Sequence, residues 1–173
     1  MLHNGPEGYG WLSKVLHWGT VLALVAQFVV GYAMDVDGGG RGRGRGRGGG
    51  SGRGRGRGGE EGYGVLDDRL LTLHVSLGVL IIVLALARLA WRRVDGLPPW
   101  SDRLGARQRT LATWTERCLM GLLLVIPATG LVLVLSSEDD LLWLHVAAHV
   151  AFFVVLAAHV ALVVGKRLLP RMW

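Results

Sequence analysis

Five histidines of this 173-residue chain lie inside long apolar segments, where an ionisable side chain is costly to bury and indicates a function. An imidazole in such a place can ligate a metal, carry a proton or form a satisfied hydrogen bond within a core. The last is the ordinary explanation for one buried histidine, but five in one short chain are harder to explain that way. They are His17, His74, His145, His149 and His159. The sixth, His3, lies in the polar N-terminal tail and has no predicted role.

The apolar residues gather into four segments, and the polar residues gather between them. Each segment has about the 20 residues that an α-helix needs to cross the hydrocarbon core of a bilayer. None has the continuous polar stripe of a helix in a soluble bundle, and the first is too long for a signal peptide. The sequence therefore predicts an all-α fold, a transmembrane four-helix bundle forming one domain over residues 1–173. The predicted spans are 11–34, 70–91, 111–135 and 141–165.

The depths of the histidines in these spans divide four of them into two pairs. Successive spans cross in opposite directions, so His17, six residues into the first span, and His159, six residues before the end of the fourth, lie near one face. His74 and His145, each four residues into its own span, lie near the opposite face. Two pairs at two depths are what two sites stacked through a bilayer require.

The fourth span contributes to both pairs, so its two histidines must share one face of the helix. His145 and His159 are 14 residues apart, which is about 40° short of four full turns and about 21 Å along the axis. That spacing leaves room for two cofactors within a bilayer core about 30 Å thick. His149 is about 80° away from His159, and we expect it to support a neighbouring ligand or contact a cofactor.

Two imidazoles from different spans suit the axial positions of a porphyrin iron, one on each side. The H-x-x-x-H spacing of His145 and His149 could also hold zinc, but no carboxylate or thiolate lies nearby at that depth. We therefore predict two haems b bound between helices, and two protein ligands per iron favour electron transfer over oxygen binding. Glycines at membrane depth should let the flat porphyrin ring pack against a helix. Basic residues near the membrane interfaces should contact the haem propionates, although long basic side chains that extend toward water explain their presence equally well. The candidates are Gly31, Gly78, Gly121 and Gly130, with Lys14 and Arg88 for one haem and Arg69 for the other.

Most of the net charge of +6 belongs to a low-complexity segment, 38–61, whose seven Arg and two Glu contribute +5. Glycine dominates this segment and nothing apolar is there to bury, so we expect a disordered loop. An Arg–Gly run could contact nucleic acid or anionic lipid. It lacks aromatic residues that would stack on bases, so a tolerated loop expansion is favoured and a nucleic-acid partner is not expected.

The remaining loops predict the orientation of the chain. Bases occur at the start of the first span (Lys14), between the second and third spans, and after the fourth, whereas the connection between the third and fourth spans reads SSEDD. The positive-inside rule then puts both termini in the cytoplasm. The Arg–Gly loop would then lie outside, so its seven Arg conflict with the orientation that the other three regions predict.

Five motifs carry the histidines and their surroundings: SKVLHW at 13–18, LTLHVSLG at 71–78, LARLAWR at 86–92, IPATGLVL at 126–133 and LHVAAHVAFFVVLAAHVA at 144–161. In their order and spacing the chain resembles the bacterial cytochrome b561 family of four-span dihaem membrane proteins. The resemblance covers nearly everything outside 38–61; that segment and His149 depart from the family pattern.

The resemblance implies an electron relay in the bacterial inner membrane. It implies that His17 and His159 ligate the haem on the cytoplasmic side, and that His74 and His145 ligate the outer haem. It further implies quinone as one partner, and superoxide oxidation at the outer face, which would make the chain a superoxide:quinone oxidoreductase. The electron donor, the oligomeric state and whether the chain is itself an enzyme do not follow from the sequence.

Two other functions stay open at this point. A haem-containing anchor or electron-transfer subunit of a hydrogenase or dehydrogenase would use the same ligands, but the related subunits of nickel–iron hydrogenases and formate dehydrogenases look longer and have a further span. A histidine-lined metal or proton transporter would need polar partners for its histidines within the spans. Few are available: Gln27, Ser76, Glu116 and Thr129.

Overall fold

Four long helices make up most of the described chain. The computed structural model describes residues 2–6, 8–41, 69–136 and 141–172, with 35–41 described by their backbone alone. The helices are α1 (Trp11–Arg41), α2 (Arg69–Asp95), α3 (Ala106–Ser136) and α4 (Leu142–Gly165), followed by a 3₁₀ turn at Leu169–Met172. Helix α1 includes residues 38–41 of the segment predicted to be a loop, and the rest of that Arg–Gly segment lies outside the described residues.

All four helices are long and apolar enough to cross a membrane, with Trp11–Met34 as the apolar part of α1. Their outward faces carry large aliphatic side chains, such as Leu22 at 69% exposure and Val154 at 66%. Surface of this kind is unfavourable in water and marks contact with lipid. Exposed Trp11, Trp114 and Trp143 lie toward helix ends, where tryptophan is enriched at membrane interfaces. The fold is a transmembrane helical bundle, as predicted.

The helices pack in sequence order, α1 against α2, α2 against α3 and α3 against α4. Small side chains at the centre, among them Ala23 on α1 and Ala85 on α2, are buried and let backbones approach closely, as is usual between membrane helices. Helices α1 and α4 meet through aromatic rings: the Phe28 ring centroid is 4.9 Å from that of Phe153 and 6.0 Å from that of Phe152. These rings bring α1 and α4 into contact, although the two helices are not neighbours in sequence.

Pro127 lies inside α3 and is buried. It has no backbone N–H to donate to the preceding turn, which weakens the helix at this level. Gly78 on α2 faces it, since a Cβ atom at Gly78 would lie 3.4 Å from Pro127 Cβ. The two residues therefore set a close approach of α2 and α3 in the half of the bundle that contains His74.

One end of the bundle collects the N-terminal tail, the α2–α3 connection and the C-terminal tail. The backbone N–H of Asn4 donates to Asp95 Oδ2 at 2.8 Å, and the Trp18 indole N–H donates to the Met172 carbonyl at 2.9 Å. Helix α4 ends in a Schellman arrangement, in which the N–H of Leu168 donates to the Val163 carbonyl at 2.9 Å. Three separate stretches of chain thus form one surface at this end.

His3 has a structural role that its position in a polar tail did not indicate. Its Nδ1 lies 2.6 Å from Asp95 Oδ1, and its ring stacks on Trp91 with centroids 5.5 Å apart. The residue therefore fastens the N-terminal tail to the end of α2.

Candidate functional site

His74 on α2 and His145 on α4 line one cavity inside the bundle. Gly78, one of the predicted contact residues, lies in the wall of the same cavity, as do Pro127 and Gly130. The structure therefore brings together two histidines that are separated by most of the chain and that depth alone had paired.

Two glycines make room for these imidazole rings. A Cβ atom at Gly31 would lie 3.3 Å from His74 Cε1, and a Cβ atom at Gly130 would lie 3.1 Å from His145 Cε1. Both distances are tighter than ordinary carbon contacts, so a side chain at either position would push against the ring. Gly121, the other glycine predicted to pack against a cofactor, has open space at its Cβ position.

The hydrogen bonds of His145 define which ring nitrogen carries the proton. Thr129 Oγ1 donates its single proton to the Ile126 carbonyl at 2.8 Å. It can therefore only accept from His145 Nδ1, which lies 2.9 Å away. The proton of neutral His145 is thus on Nδ1, and the lone pair on Nε2 is available to a metal.

The hydrogen bonds of His74 are only partly satisfied. Its Nε2 lies 3.0 Å from Gln27 Nε2, while His74 Nδ1 and Gln27 Oε1 are both buried without a hydrogen-bond partner. Buried polar atoms of this kind are uncommon, and they show that the polypeptide alone does not complete the hydrogen bonds around His74. A metal on His74 Nε2 would take the place of the Gln27 amide.

His149 lies beside His145 on α4. Its Nδ1 is 2.9 Å from the His145 carbonyl oxygen, and the two rings meet edge to face with centroids 4.5 Å apart. The His149 ring also contacts Phe28, whose ring centroid is 5.8 Å away. The residue therefore packs against a candidate ligand, and whether it supports that ligand or contacts a cofactor stays a prediction.

His17 on α1 and His159 on α4 form the second group. The two are within electrostatic range of each other, and Arg88 on α2 is within range of both. His17 Nδ1 is buried without a hydrogen-bond partner. The two predicted ligands and the predicted base Arg88 therefore lie in one region of the bundle, and their role as a haem site stays a prediction.

A second cavity opens beside Arg88, at the end of the bundle where the chain termini meet. Its wall includes Tyr9, Ser13, Arg88 and the ion pair between Arg92 Nη1 and Glu116 Oε1, whose atoms are 2.8 Å apart. Burial, and secondarily Glu116, raise the pKa of the Tyr9 hydroxyl above its usual value. The cavity thus combines a neutral hydroxyl donor with a net positive group of side chains.

The other predicted bases are less informative. Arg69 begins α2 and is exposed, and Lys14 is half-buried near the start of α1. Neither is among the described residues that line the two cavities. Their assignment to haem propionates stays a prediction.

The sequence pointed to two further residues without giving their role. Gln27 and Thr129 stood out as polar residues within apolar spans, and the structure places each against one candidate ligand. Ser76 instead donates to the Thr72 carbonyl of its own helix at 2.7 Å. A polar residue at the depth of a histidine was the available signal, but it could not tell these cases apart.

The arrangement fits an iron porphyrin held by paired histidines. The imidazoles of His74 and His145 face a common cavity, and the glycines beside them leave room for these imidazole rings. The Nδ1 atoms of His17 and His74 are buried without a hydrogen-bond partner. Within the described residues, no group of three His, Cys, Asp or Glu side chains is arranged to hold a bare metal ion. Paired imidazoles without carboxylates are the donor set of a six-coordinate haem.

A membrane bundle of four long apolar helices in which histidines of two helices face one interior cavity has the construction of a membrane-bound cytochrome. The chain belongs to the prokaryotic cytochrome b561 family, whose model matches residues 8–173, nearly its whole length. Membership makes it a membrane protein of electron transport that carries b-type haem. No curated protein and no solved structure matches the chain significantly.

Proposed function

We propose that the protein is a dihaem b-type cytochrome that carries electrons across or within the bacterial inner membrane. The observation that carries the proposal is the meeting of His74 and His145, from α2 and α4, in one cavity. In this proposal these two are the axial ligands of one haem, and His17 and His159 are those of the other.

Haem supplies the one-electron chemistry when bound, since its iron changes oxidation state without a change of ligands. The histidines hold the iron, and the apolar helices around them keep water away. Arg88, within electrostatic range of His17 and His159, would compensate the negative charge of a propionate. Lys14 would do the same at that end, and Arg69 at the other.

Quinone is the partner that family resemblance favours, with both termini in the cytoplasm as the basic loops predict. Superoxide is a candidate donor at the opposite face. The seven Arg of residues 38–61 would attract such an anion by long-range electrostatics. Replacing all seven with Ser should then slow superoxide-dependent reduction and weaken its dependence on salt; an unchanged rate would remove superoxide steering from the proposal.

The test of the main proposal is haem content and absorption of the purified protein, oxidised and reduced. We expect a b-type α-band on reduction and two haems per chain. His17→Ala, His74→Ala, His145→Ala and His159→Ala should each lose about one haem, because each removes an axial ligand. His149→Ala is the matched control and should keep both. A protein purified without haem would overturn the proposal.

A histidine-lined proton or metal pathway is the second candidate, and the contacts of Gln27 with His74 and of Thr129 with His145 favour it. It predicts proton- or metal-driven flux into vesicles that contain the haem-free protein. The same spectrum and haem quantification distinguish the two functions.

A further inference from the structure

We propose that Thr129 is a positioning residue that fixes the ring and proton of His145 and thereby lowers the reduction potential of the haem bound there. The inference rests on the proposed function, because it takes His145 as an axial ligand. It concerns α3, the helix that supplies none of the four proposed ligands.

The hydroxyl of Thr129 has one proton, and its direction is determined. Thr129 Oγ1 donates to the Ile126 carbonyl at 2.8 Å, a bond within its own helix that holds the side chain in one rotamer. The contact to His145 Nδ1 at 2.9 Å then has the imidazole as donor. The Ile126 carbonyl, also near this ring, can only accept as well. Both acceptors require the proton on Nδ1 and leave Nε2 free.

The position of the ring is restricted from several sides. The residue after Thr129 is Gly130, where a Cβ atom would lie 3.1 Å from His145 Cε1. His149 covers another edge of the ring, with centroids 4.5 Å apart. One turn of α3 therefore gives His145 both a hydrogen-bond acceptor and a surface against which the ring lies.

The two proposed ligands of this haem differ in their support. His145 Nδ1 has an acceptor in Thr129, whereas His74 Nδ1 is buried and has no partner. A hydrogen bond from the far nitrogen of a ligating histidine makes the ligating nitrogen a stronger donor. Stronger donation favours ferric over ferrous iron, so it lowers the potential. Thr129 is the side chain through which the protein applies this effect at the His74–His145 haem.

The test is a redox titration of the full-length purified protein with Thr129→Val, which keeps the shape of the side chain and removes the hydroxyl. We expect one of the two haems to become easier to reduce. Outer-shell partners change the metal affinity of a site by about tenfold or more, and a tenfold change in the ferric-to-ferrous preference is about 59 mV for one electron. The other haem should keep its potential, and Thr129→Ser should restore wild-type behaviour.

Each outcome has a definite meaning. Haem loss in Thr129→Val that Thr129→Ser prevents also supports the inference, because the hydroxyl is then needed for ligation. Two unchanged potentials in haem-loaded Thr129→Val, or equal changes in the Val and Ser variants, would overturn it. These outcomes are distinct from failure of the proposed function, which would appear as a wild-type protein without haem and would overturn both.

Discussion

The ring of His145 lies against the backbone of Gly130, so closely that a Cβ atom there would be 3.1 Å from His145 Cε1. Because α3 and α4 are packed along their length, neither helix can move away from this contact without disturbing the core. The glycine is therefore a condition for the position of the ring.

Gly130→Ala should weaken haem binding at the His74–His145 site. Crowding of a packed interior costs about 1–3 kcal/mol, which corresponds to roughly a 5- to 150-fold loss of affinity. Haem titration of the purified variant measures it. Gly165→Ala, at the exposed end of α4 where the Cβ position is open, is the control and should bind haem as the wild type does. Equal effects of the two substitutions would show that the contact with His145 is irrelevant.

Double variants test how the histidines pair. His17→Ala with His159→Ala should remove one haem and leave the other, because both residues belong to one proposed site. His17→Ala with His74→Ala should remove both, since each proposed site then lacks a ligand. Haem per chain and the reduced spectrum are the measurements. One haem retained in the second combination would contradict the pairing.

Arg88→Gln should lower the potential of the haem held by His17 and His159. A positive charge nearby opposes oxidation of the iron, and a unit charge about 10 Å away contributes roughly 1.7 kcal/mol at an effective dielectric constant of about 20. Potentiometric titration should show the change in one haem alone. Arg93→Gln, an exposed base on the same helix, is the control, and a matching change there would assign the effect to overall charge.

Tyr9→Phe should make the protein more tolerant of alkaline pH. Burial, assisted by Glu116, raises the pKa of Tyr9 above 10.0, so the folded state resists ionisation more than the unfolded state does. The associated stability is present below pH 10 and is lost as the pH rises through the pKa of the folded protein, by about 1.4 kcal/mol for each unit of difference.

Thermal unfolding between pH 8 and pH 11 measures this dependence. The slope should be shallower in Tyr9→Phe than in the wild type. Tyr32→Phe, at an exposed position of α1, should leave the slope unchanged. Parallel curves for all three proteins would contradict the role given to Tyr9.

Hydropathy was enough to predict the four helices, because a membrane span must be about as long as the bilayer is thick. The direction of successive spans was enough to predict that His74 and His145 lie at a similar depth. Rotation of a helix about its axis was not predictable in the same way, since lipid-facing and core-facing residues are both apolar here. The contacts of Thr129 and Gln27 depend on that rotation, so only the structure gives them.

The end of the bundle shows the same limit. His3 and Asp95 are 92 residues apart, and nothing in a polar tail indicates which loop it will contact. The contact exists because the N-terminal tail and the end of α2 emerge on the same face. Because successive spans cross in opposite directions, the N-terminal tail and the end of the second span are predicted to lie on the same side. This does not predict which residues contact each other there.

One helix, α4, holds one proposed ligand of each proposed haem. The distance between these two ligands along the helix therefore does not depend on motion of the other helices. His145 and His159 are joined by continuous helical backbone, whose rise per residue is fixed by its hydrogen bonds. Tilting or sliding of the other helices can alter each site separately, yet it cannot stretch α4. The spacing of these two proposed ligands is therefore set by the geometry of the peptide backbone, and it stays the same when the other helices move.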